Sequence, residues 1–189
     1  MKNLIFITIN LCIVTLFAGN EDQIGLTKDF NAYFNVIDKV ESIDEYLYPE
    51  LFNIIPKTTL QMAVKDLLND STIKTSFLDS KITSIEKVIS YDGVKYAKLN
   101  YSYLLKLTFL EADFEDENGT ITNIYKSKYG KENVVYDATT KTYSILLNNT
   151  MVAIWKPDYN HWKFVEAKPE TKEVFKLIFP ENIIKKLKL

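Results

Sequence analysis

The sequence of 189 residues contains no arginine, one histidine and one cysteine. All 23 basic residues are therefore lysine, and the formal net charge at pH 7 is −2. Without guanidinium groups or an excess of positive charge, we expect no binding to nucleic acid. A zinc site or a Ser-His-Asp triad would have His161 as its single imidazole, so we expect neither a metal site nor a cofactor.

Glycine and proline are also scarce, with five of each. Their scarcity argues against glycine-rich phosphate loops and against long linkers. What the chain has instead is apolar material, since 47% of its residues are hydrophobic and 13% are aromatic. This is enough for a sizeable core at this length, and we expect residues 20–189 to form a single domain.

The amino terminus has the pattern of a secretory signal peptide. A short positive start precedes the apolar residues 4–18, and Ala18 and Gly19 are small residues suited to cleavage. We predict a signal over residues 1–19 and a secreted or periplasmic protein, with an uncleaved anchor as the alternative. Cleavage would remove Cys12 and leave no disulfide or thiol chemistry.

The next part of the chain has the apolar spacing of three helices. A first helix is predicted over residues 26–40 from an apolar stripe formed by Phe30, Tyr33, Phe34 and Ile37. Ser42 and Glu45 have the spacing of a capping box, which predicts a short second helix toward Tyr48 and ending at the following proline. A third helix is predicted over residues 56–69. Its apolar face is expected to carry Leu60, Ala63, Val64, Leu67 and Leu68.

From residue 73 the apolar period changes to two, which indicates β-strands. After a weak extended stretch over residues 73–77, strands are predicted over residues 81–91 and 94–110. They are joined by Asp92-Gly93, a dipeptide typical of a two-residue hairpin turn. One side of the second strand is apolar or aromatic throughout: Ala97, Leu99, Tyr101, Tyr103, Leu105, Leu107 and Phe109.

Three further strands and a helical tail complete the prediction. The strands are expected over residues 141–147, 150–155 and 161–166, with a tight turn at Asn148-Asn149 between the first two. That turn would place five side chains on one face: Tyr143, Ile145, Leu147, Val152 and Ile154. The tail is predicted from its apolar stripe, which consists of Val174, Phe175 and Ile178.

An acidic run over residues 111–119 leads into a predicted helix with Ile121, Ile124 and Tyr125 on one face. The run does not match the twelve-residue calcium loop, because Asn118 stands where glycine is needed and Ile124 where glutamate is needed. Negative charge before a helix start is favourable by itself, which favours a solvated acidic loop.

The order of these elements resembles the cystatin-like fold of nuclear transport factor 2-like proteins, and more narrowly small secreted bacterial proteins of that fold. The resemblance is carried by the stretches "YPELFNIIPKTTLQMAVKDLL", "YDGVKYAKLNYSYLLKLTF" and "HWKFVEA", and it covers residues 26–167. It implies an α+β fold in which N-terminal helices pack on a strongly curved, cone-like antiparallel sheet, with a short helical tail at the C-terminus. It also implies a pocket at the wide end of the cone in some members.

The two-residue turn sets a register that places Glu86 opposite Leu99 and Ser84 opposite Tyr101. In this register Glu86 is the candidate catalytic base, and Ser84, Tyr101 and Tyr103 are the candidate pocket residues. An odd-length loop would instead turn Glu86 to the other face of the sheet.

Two functions remain open at this point. We favour a non-enzymatic module that binds a protein, a glycan or a small apolar ligand. The alternative is a pocket enzyme of hydrolase or isomerase type that uses Glu86. The other side of the hairpin is apolar enough to pair two copies as a homodimer through the outer sheet face. The side chains concerned are Ile85, Ile89, Val94, Tyr96 and Leu104.

Residues 154–164 contain both tryptophans and the only histidine of the chain. A four-residue loop in this segment would pair Trp155 with Trp162 on one face of the sheet, whereas a bulge would separate them. His161 faces away from Trp162 in either register. We therefore expect a hairpin end and packing, with no catalytic role for His161.

Overall fold

The computed structural model of the protein describes residues 21–189, apart from the side chains of Val40, Glu41 and Glu117. The predicted signal over residues 1–19 lies outside this part of the chain. Within residues 21–189, no helix combines the length and the apolar character needed to cross a membrane.

The described chain is an α+β fold, as predicted, with an open antiparallel sheet of six strands. The helices are residues 21–34 (α1), Val40–Ile43 (α2), Lys57–Leu68 (α3), Thr120–Tyr129 (α4), Lys172–Ile178 (α5) and Glu181–Leu187 (α6). The strands are Ile73–Ile85 (β1), Ile89–Tyr91 (β2), Val94–Phe109 (β3), Val134–Asp137 (β4), Thr142–Trp155 (β5) and Lys163–Glu166 (β6).

The sheet is built on two long central strands, β3 and β5, which pair along nearly their whole length. β1 and β2 lie end to end along the free side of β3, and β4 and β6 do the same along β5. The predicted turn at Asp92-Gly93 is confirmed, and both residues have the left-handed φ that this hairpin turn requires, 50° and 73°.

The sheet has two faces, which are covered by different helices. The inner face carries Ala97, Leu99 and Tyr101, and α1 packs on it through the buried residues Leu26 and Phe30. α4 covers the same face farther along, where Tyr143 and Ile145 are buried. The outer face carries Tyr96, Val152 and Ile154, and the predicted helical tail, now α5 and α6, covers it with Phe175, Phe179, Ile183 and Leu187.

The first two helices differ from their prediction. α1 ends at residue 34, and the chain then continues through successive helical turns as far as Tyr46. Lys39 is the N-cap of α2, and Ser42 lies inside the helix. The predicted capping box, in which Ser42 would be the N-cap, is therefore wrong. Pro49 begins a 3₁₀ turn over Pro49–Asn53 instead of only ending a helix.

The third helix begins and ends where predicted, after Pro56 and before Asn69. Its apolar face, however, is not buried, since Ala63 is exposed and Leu67 is 47% exposed. α3 is held mainly at its start, where the buried carboxylate of Asp44 pairs with Lys57 at 2.8 Å and accepts a hydrogen bond from Gln61.

The predicted turn at Asn148-Asn149 is wrong, because β5 runs through it as one strand. The unbroken partner strand β3 supplies a pairing position for every residue of this stretch, and Asn149 pairs with Tyr101. Without the turn, Val152 and Ile154 lie on the outer face, opposite Tyr143. The prediction also missed β4, a short edge strand that forms a hairpin with the start of β5.

The tryptophan segment follows the four-residue-loop prediction. Ala153 pairs with Phe164, and Trp155 and Trp162 both pack in the cluster on the inner face. Trp162 is 4% exposed, so the part of the inner face that holds the two tryptophans is core and not a binding patch. The ring of His161 stacks on Tyr46 with 4.6 Å between centroids.

The predicted dimer surface is largely covered by the chain's own helices. Ile89, Val94 and Tyr96 pack against the cluster that α5 and α6 form on the outer face. Ile85 packs with the inner cluster instead, because the register of β1 differs from the predicted one. Of the five predicted residues only Leu104 keeps its place on an uncovered part of the outer face, beside Leu78 and Leu146. The chain's own helices therefore occupy most of the surface through which a homodimer was predicted, and the homodimer itself stays a prediction.

The acidic loop ends in a carboxylate that caps α4. Asp116 accepts hydrogen bonds from the backbone N–H groups of Ile121 and Thr122 and from the hydroxyls of Thr122 and Tyr143, at 2.6–2.9 Å. Burial alone would raise the pKa of Asp116, but these hydrogen bonds outweigh it and lower the pKa from 3.8 to about 2. Ile121 and Tyr125 pack on Tyr143 as predicted, whereas Ile124 is 57% exposed.

Substitution of Phe30 tests the inner cluster. Its ring is 0% exposed and contacts Phe34, Tyr101 and Phe164. We expect Phe30→Ala to lower the free energy of unfolding by about 3–5 kcal/mol, because it leaves a cavity that the neighbours cannot fill. Ile24→Ala, at a 61% exposed position of the same helix, should change it by less than about 0.5 kcal/mol. Urea denaturation followed by circular dichroism measures both, and equal losses would contradict the packing of α1.

Substitution of Asp116 tests the cap of α4. We expect Asp116→Ala to lower the free energy of unfolding at pH 7 by about 1–3 kcal/mol, since four hydrogen bonds to one carboxylate are lost. Because the folded-state pKa is depressed, the ionised carboxylate stabilises the protein above pH 3.8, and this contribution is lost as the pH falls through about 2. The gap between wild type and variant should therefore narrow between pH 4 and pH 2. Asp113→Ala, in the same loop but exposed, is the control.

Candidate ligand-binding groove

The register of β1 differs from the predicted one, and this moves two of the four candidate site residues. β2 follows the two-residue turn, with Ile89 opposite Tyr96. Three residues farther along β3, however, Ile85 stands opposite Leu99, where Glu86 was predicted. One extra residue is thus accommodated between the two strands. A second shift follows in β1 between Ile82 and Ser84.

The outcome is that Glu86 and Ser84 lie on the outer side of the sheet. The side chain of Glu86 is 45% exposed and lies 3.6 Å from the ammonium group of Lys98. Ser84 pairs with Asn100 and accepts a hydrogen bond from its amide. The predicted pairs of Glu86 with Leu99 and of Ser84 with Tyr101 are therefore wrong, and Glu86 is not beside the tyrosines.

Tyr101 and Tyr103 lie on the inner face, where the prediction placed them, with ring centroids 6.1 Å apart. Tyr101 is 1% exposed, and its hydroxyl donates a hydrogen bond of 2.7 Å to Oε1 of Glu166. The amide of Asn149 reaches the same hydroxyl at 3.5 Å. The carboxylate beside the tyrosines is thus Glu166, at the end of β6.

Sequence reasoning missed Glu166, although a signal for it existed. Once Trp162 and Phe164 are assigned to the inner face, the alternation of a strand puts Glu166 on that face too. Its second oxygen forms an ion pair with Lys168. Within the described part of the chain, no three His, Cys, Asp or Glu side chains lie close enough together to hold a metal ion.

Burial and the nearby carboxylate keep these tyrosines protonated. Burial raises the pKa of Tyr103 to about 12, and the charge of Glu166 adds to this. Burial raises the pKa of Tyr101 further, and so do the charge of Glu166 and the hydrogen bond to it. Both hydroxyls therefore remain hydrogen-bond donors at any ordinary pH.

A groove of about 400 Å³ lies on the inner face next to this cluster. We call it the inner groove. Its apolar lining consists of Phe77, Tyr103, Leu105, Leu107, Tyr129 and Leu147. It lies where the clusters of α1 and α4 meet, and Leu67 of α3 lines it as well. Tyr103 packs with the cluster of α1, whereas Leu105, Leu107 and Leu147 pack with that of α4.

The polar side chains of the inner groove are few, and its charged ones are cationic. Asn149 and Thr75 contribute uncharged groups, and Lys128 and Lys168 contribute positive charges, while none of the described carboxylates lines the groove. The ammonium group of Lys128 lies 5.0 Å from the centroid of the Tyr129 ring. A cation held over an aromatic face and next to apolar side chains is well placed to meet the polar end of a ligand.

A second, smaller cavity lies on the other side of Glu166. It has a volume of about 180 Å³ and is almost entirely apolar, with Leu51, Ile55, Leu60 and Val174 among its lining residues. Tyr33 and Glu166 lie at this cavity too. Burial and the charge of Glu166 raise the pKa of Tyr33, so its hydroxyl also stays protonated.

Comparison of the chain with known protein families, with curated proteins and with solved structures found no match. The inner groove and the residues that line it are the features of the fold from which a function is inferred.

The hydrogen bond between Tyr101 and Glu166 is tested by Tyr101→Phe. We expect this variant to lower the free energy of unfolding by about 1–3 kcal/mol, because a carboxylate oxygen loses its buried donor while the packing of the ring is kept. Tyr91→Phe removes a hydroxyl from a 42% exposed ring and should change stability by less than about 0.5 kcal/mol. Urea denaturation at pH 7 measures both variants. Equal stability of Tyr101→Phe and wild type would contradict the bond.

Proposed function

We propose that this protein is a non-enzymatic module that binds a small, mainly apolar ligand in the inner groove. The observation that carries the proposal is a concave site of about 400 Å³, lined by leucines and aromatic rings with a few polar groups at its margins. Small-molecule sites in proteins commonly have this size range and this kind of lining.

The groove leaves apolar side chains only partly covered. Tyr103, Leu105 and Leu147 are half-buried, although their neighbours along the same strands, such as Tyr101 and Ile145, are fully buried. Covering apolar surface contributes about 25 cal/mol per Å², so a ligand that lies on these side chains gains affinity without any change in the fold. A protein partner would instead call for a broad, flat surface, and a glycan for more polar groups.

The geometry favours binding over acid–base chemistry. Glu86, the candidate base, lies outside the groove with Lys98. Glu166 does not take its place as an unpaired base, because one of its oxygens accepts a hydrogen bond from Tyr101 and the other pairs with Lys168. Glu166 therefore serves to hold the buried tyrosines in place.

The proposal extends to the fold and to the location of the protein. We propose that the sheet is curved into the cone of the cystatin-like fold. Support comes from the two register shifts in β1, which bend a strand, and from α1 on the inner face. We also propose that the protein is secreted or periplasmic, on the basis of the signal pattern over residues 1–19.

Two leucines that are adjacent in β5 allow a matched test of the binding site. Leu147 lines the inner groove, whereas Leu146 is 41% exposed and projects from the opposite face. With the uncharged fluorescent probe N-phenyl-1-naphthylamine, we expect saturable binding to wild type and a Kd raised about tenfold in Leu147→Gln. Leu146→Gln should leave the Kd unchanged. No saturable binding to wild type, or equal effects of the two substitutions, would overturn the proposed site.

A further inference from the structure

We propose that the ligand of the inner groove is an anionic amphiphile, a molecule with an alkyl chain and a carboxylate head of the kind found in fatty acids. The alkyl chain lies along the leucines of β3 and β5, and the carboxylate is bound by Lys128 and Lys168. This inference rests on the proposed binding function and names the chemical class of the ligand.

The charges at the groove select the sign of the head group. Both charged side chains that line it are lysines. Lys168 is paired with Glu166, but an ammonium group has three donors and one pairing does not use them all. Among the side chains that the structure describes, no carboxylate forms an ion pair with Lys128. An anionic head therefore meets the charge of Lys128 and the remaining donors of Lys168, whose charge is partly balanced by Glu166. A cationic head is disfavoured beside Lys128.

Lys128 and most of the apolar lining of the groove come from different elements of the fold. Lys128 and Tyr129 come from the last turn of α4, where the ammonium group lies over the aromatic ring. Leu105, Leu107 and Leu147 come from the central strands beneath. A ligand with one charged end and one apolar end matches this division, whereas a molecule that is apolar throughout makes no use of the charge of Lys128.

The length of the alkyl chain should matter as well as the charge of the head. Each methylene group removed from water strengthens binding about fourfold, because its transfer into an apolar site is favourable. A carboxylate with a short chain would satisfy the lysines and leave the leucines exposed. The ligand class is therefore defined by both parts, and neither acetate nor a neutral hydrocarbon should bind as well.

The test is isothermal titration calorimetry of the purified protein with three probes of closely similar alkyl chain and different head group: decanoate, 1-decanol and decyltrimethylammonium. We expect decanoate to bind about tenfold more tightly than 1-decanol, and decyltrimethylammonium to bind more weakly than either. Lys128→Gln should remove most of the preference for decanoate over 1-decanol, which is measured as the ratio of the two Kd values.

Lys106→Gln is the matched control, because it removes the same charge from the outer face of β3 and should leave the preference intact. Circular dichroism spectra establish that both variants fold.

The outcomes separate this inference from the proposed function. If decanoate and 1-decanol bind equally well to wild type, or if Lys106→Gln reduces the preference as much as Lys128→Gln does, the anionic ligand class is overturned while the groove remains a binding site. If decyltrimethylammonium binds most tightly, the charge argument is wrong. If none of the three probes binds, and N-phenyl-1-naphthylamine does not bind either, both proposals fall.

Discussion

The continuous antiparallel ladder between β3 and β5 is the interaction on which the rest of the structure depends. It runs without a shift from Lys95 opposite Trp155 to Thr108 opposite Thr142, so every side chain along it has an assigned face. Both helical layers are positioned by this assignment. The odd-numbered positions of both strands face α1 and α4, and even-numbered positions such as Tyr96 and Val152 face the C-terminal helices. The inner groove lies where these two inner-face helices cover the ladder only partly.

Several elements could be predicted from the sequence because their signals lie within a few neighbouring residues. The turn at Asp92-Gly93, the limits of α3 and the apolar stripe of the C-terminal tail all follow from spacing and turn chemistry within a few residues. The turn at Asn148-Asn149 was wrong for the opposite reason. Its local signal was outweighed by the partner strand β3, which continues to pair on both sides of it. The exposure of the apolar face of α3 could not be predicted from its sequence either, because amphipathic spacing does not show whether another element packs on that face.

In the candidate site, an error of one residue in the predicted strand register changes the face on which the following side chains lie. Tyr101 and Tyr103 were assigned to the inner face from the alternation of β3 alone, and that assignment holds. Glu86 and Ser84 depended on the register across two strands, and the residue accommodated between β1 and β2 turned them outward. Glu166 lies in β6, about eighty positions after Glu86 in the chain. It reaches Tyr101 because β5 pairs with both β3 and β6. A carboxylate does lie beside Tyr101, as predicted, but it is Glu166 of β6 and not Glu86.

The helices cover one part of the sheet on both faces and another part less completely. We expect these two parts to differ in how readily they unfold locally. Near the Asp92-Gly93 turn the ladder is enclosed between α1 and the C-terminal helices, and Leu99, Met151 and Val152 are 0% exposed. Around the groove one face is half-open, and the outer face carries exposed leucines such as Leu146. Local unfolding begins where few apolar contacts are broken, so fluctuations concentrate in the region that holds the groove. We therefore expect the enclosed region to resist local unfolding and the groove region to open more readily.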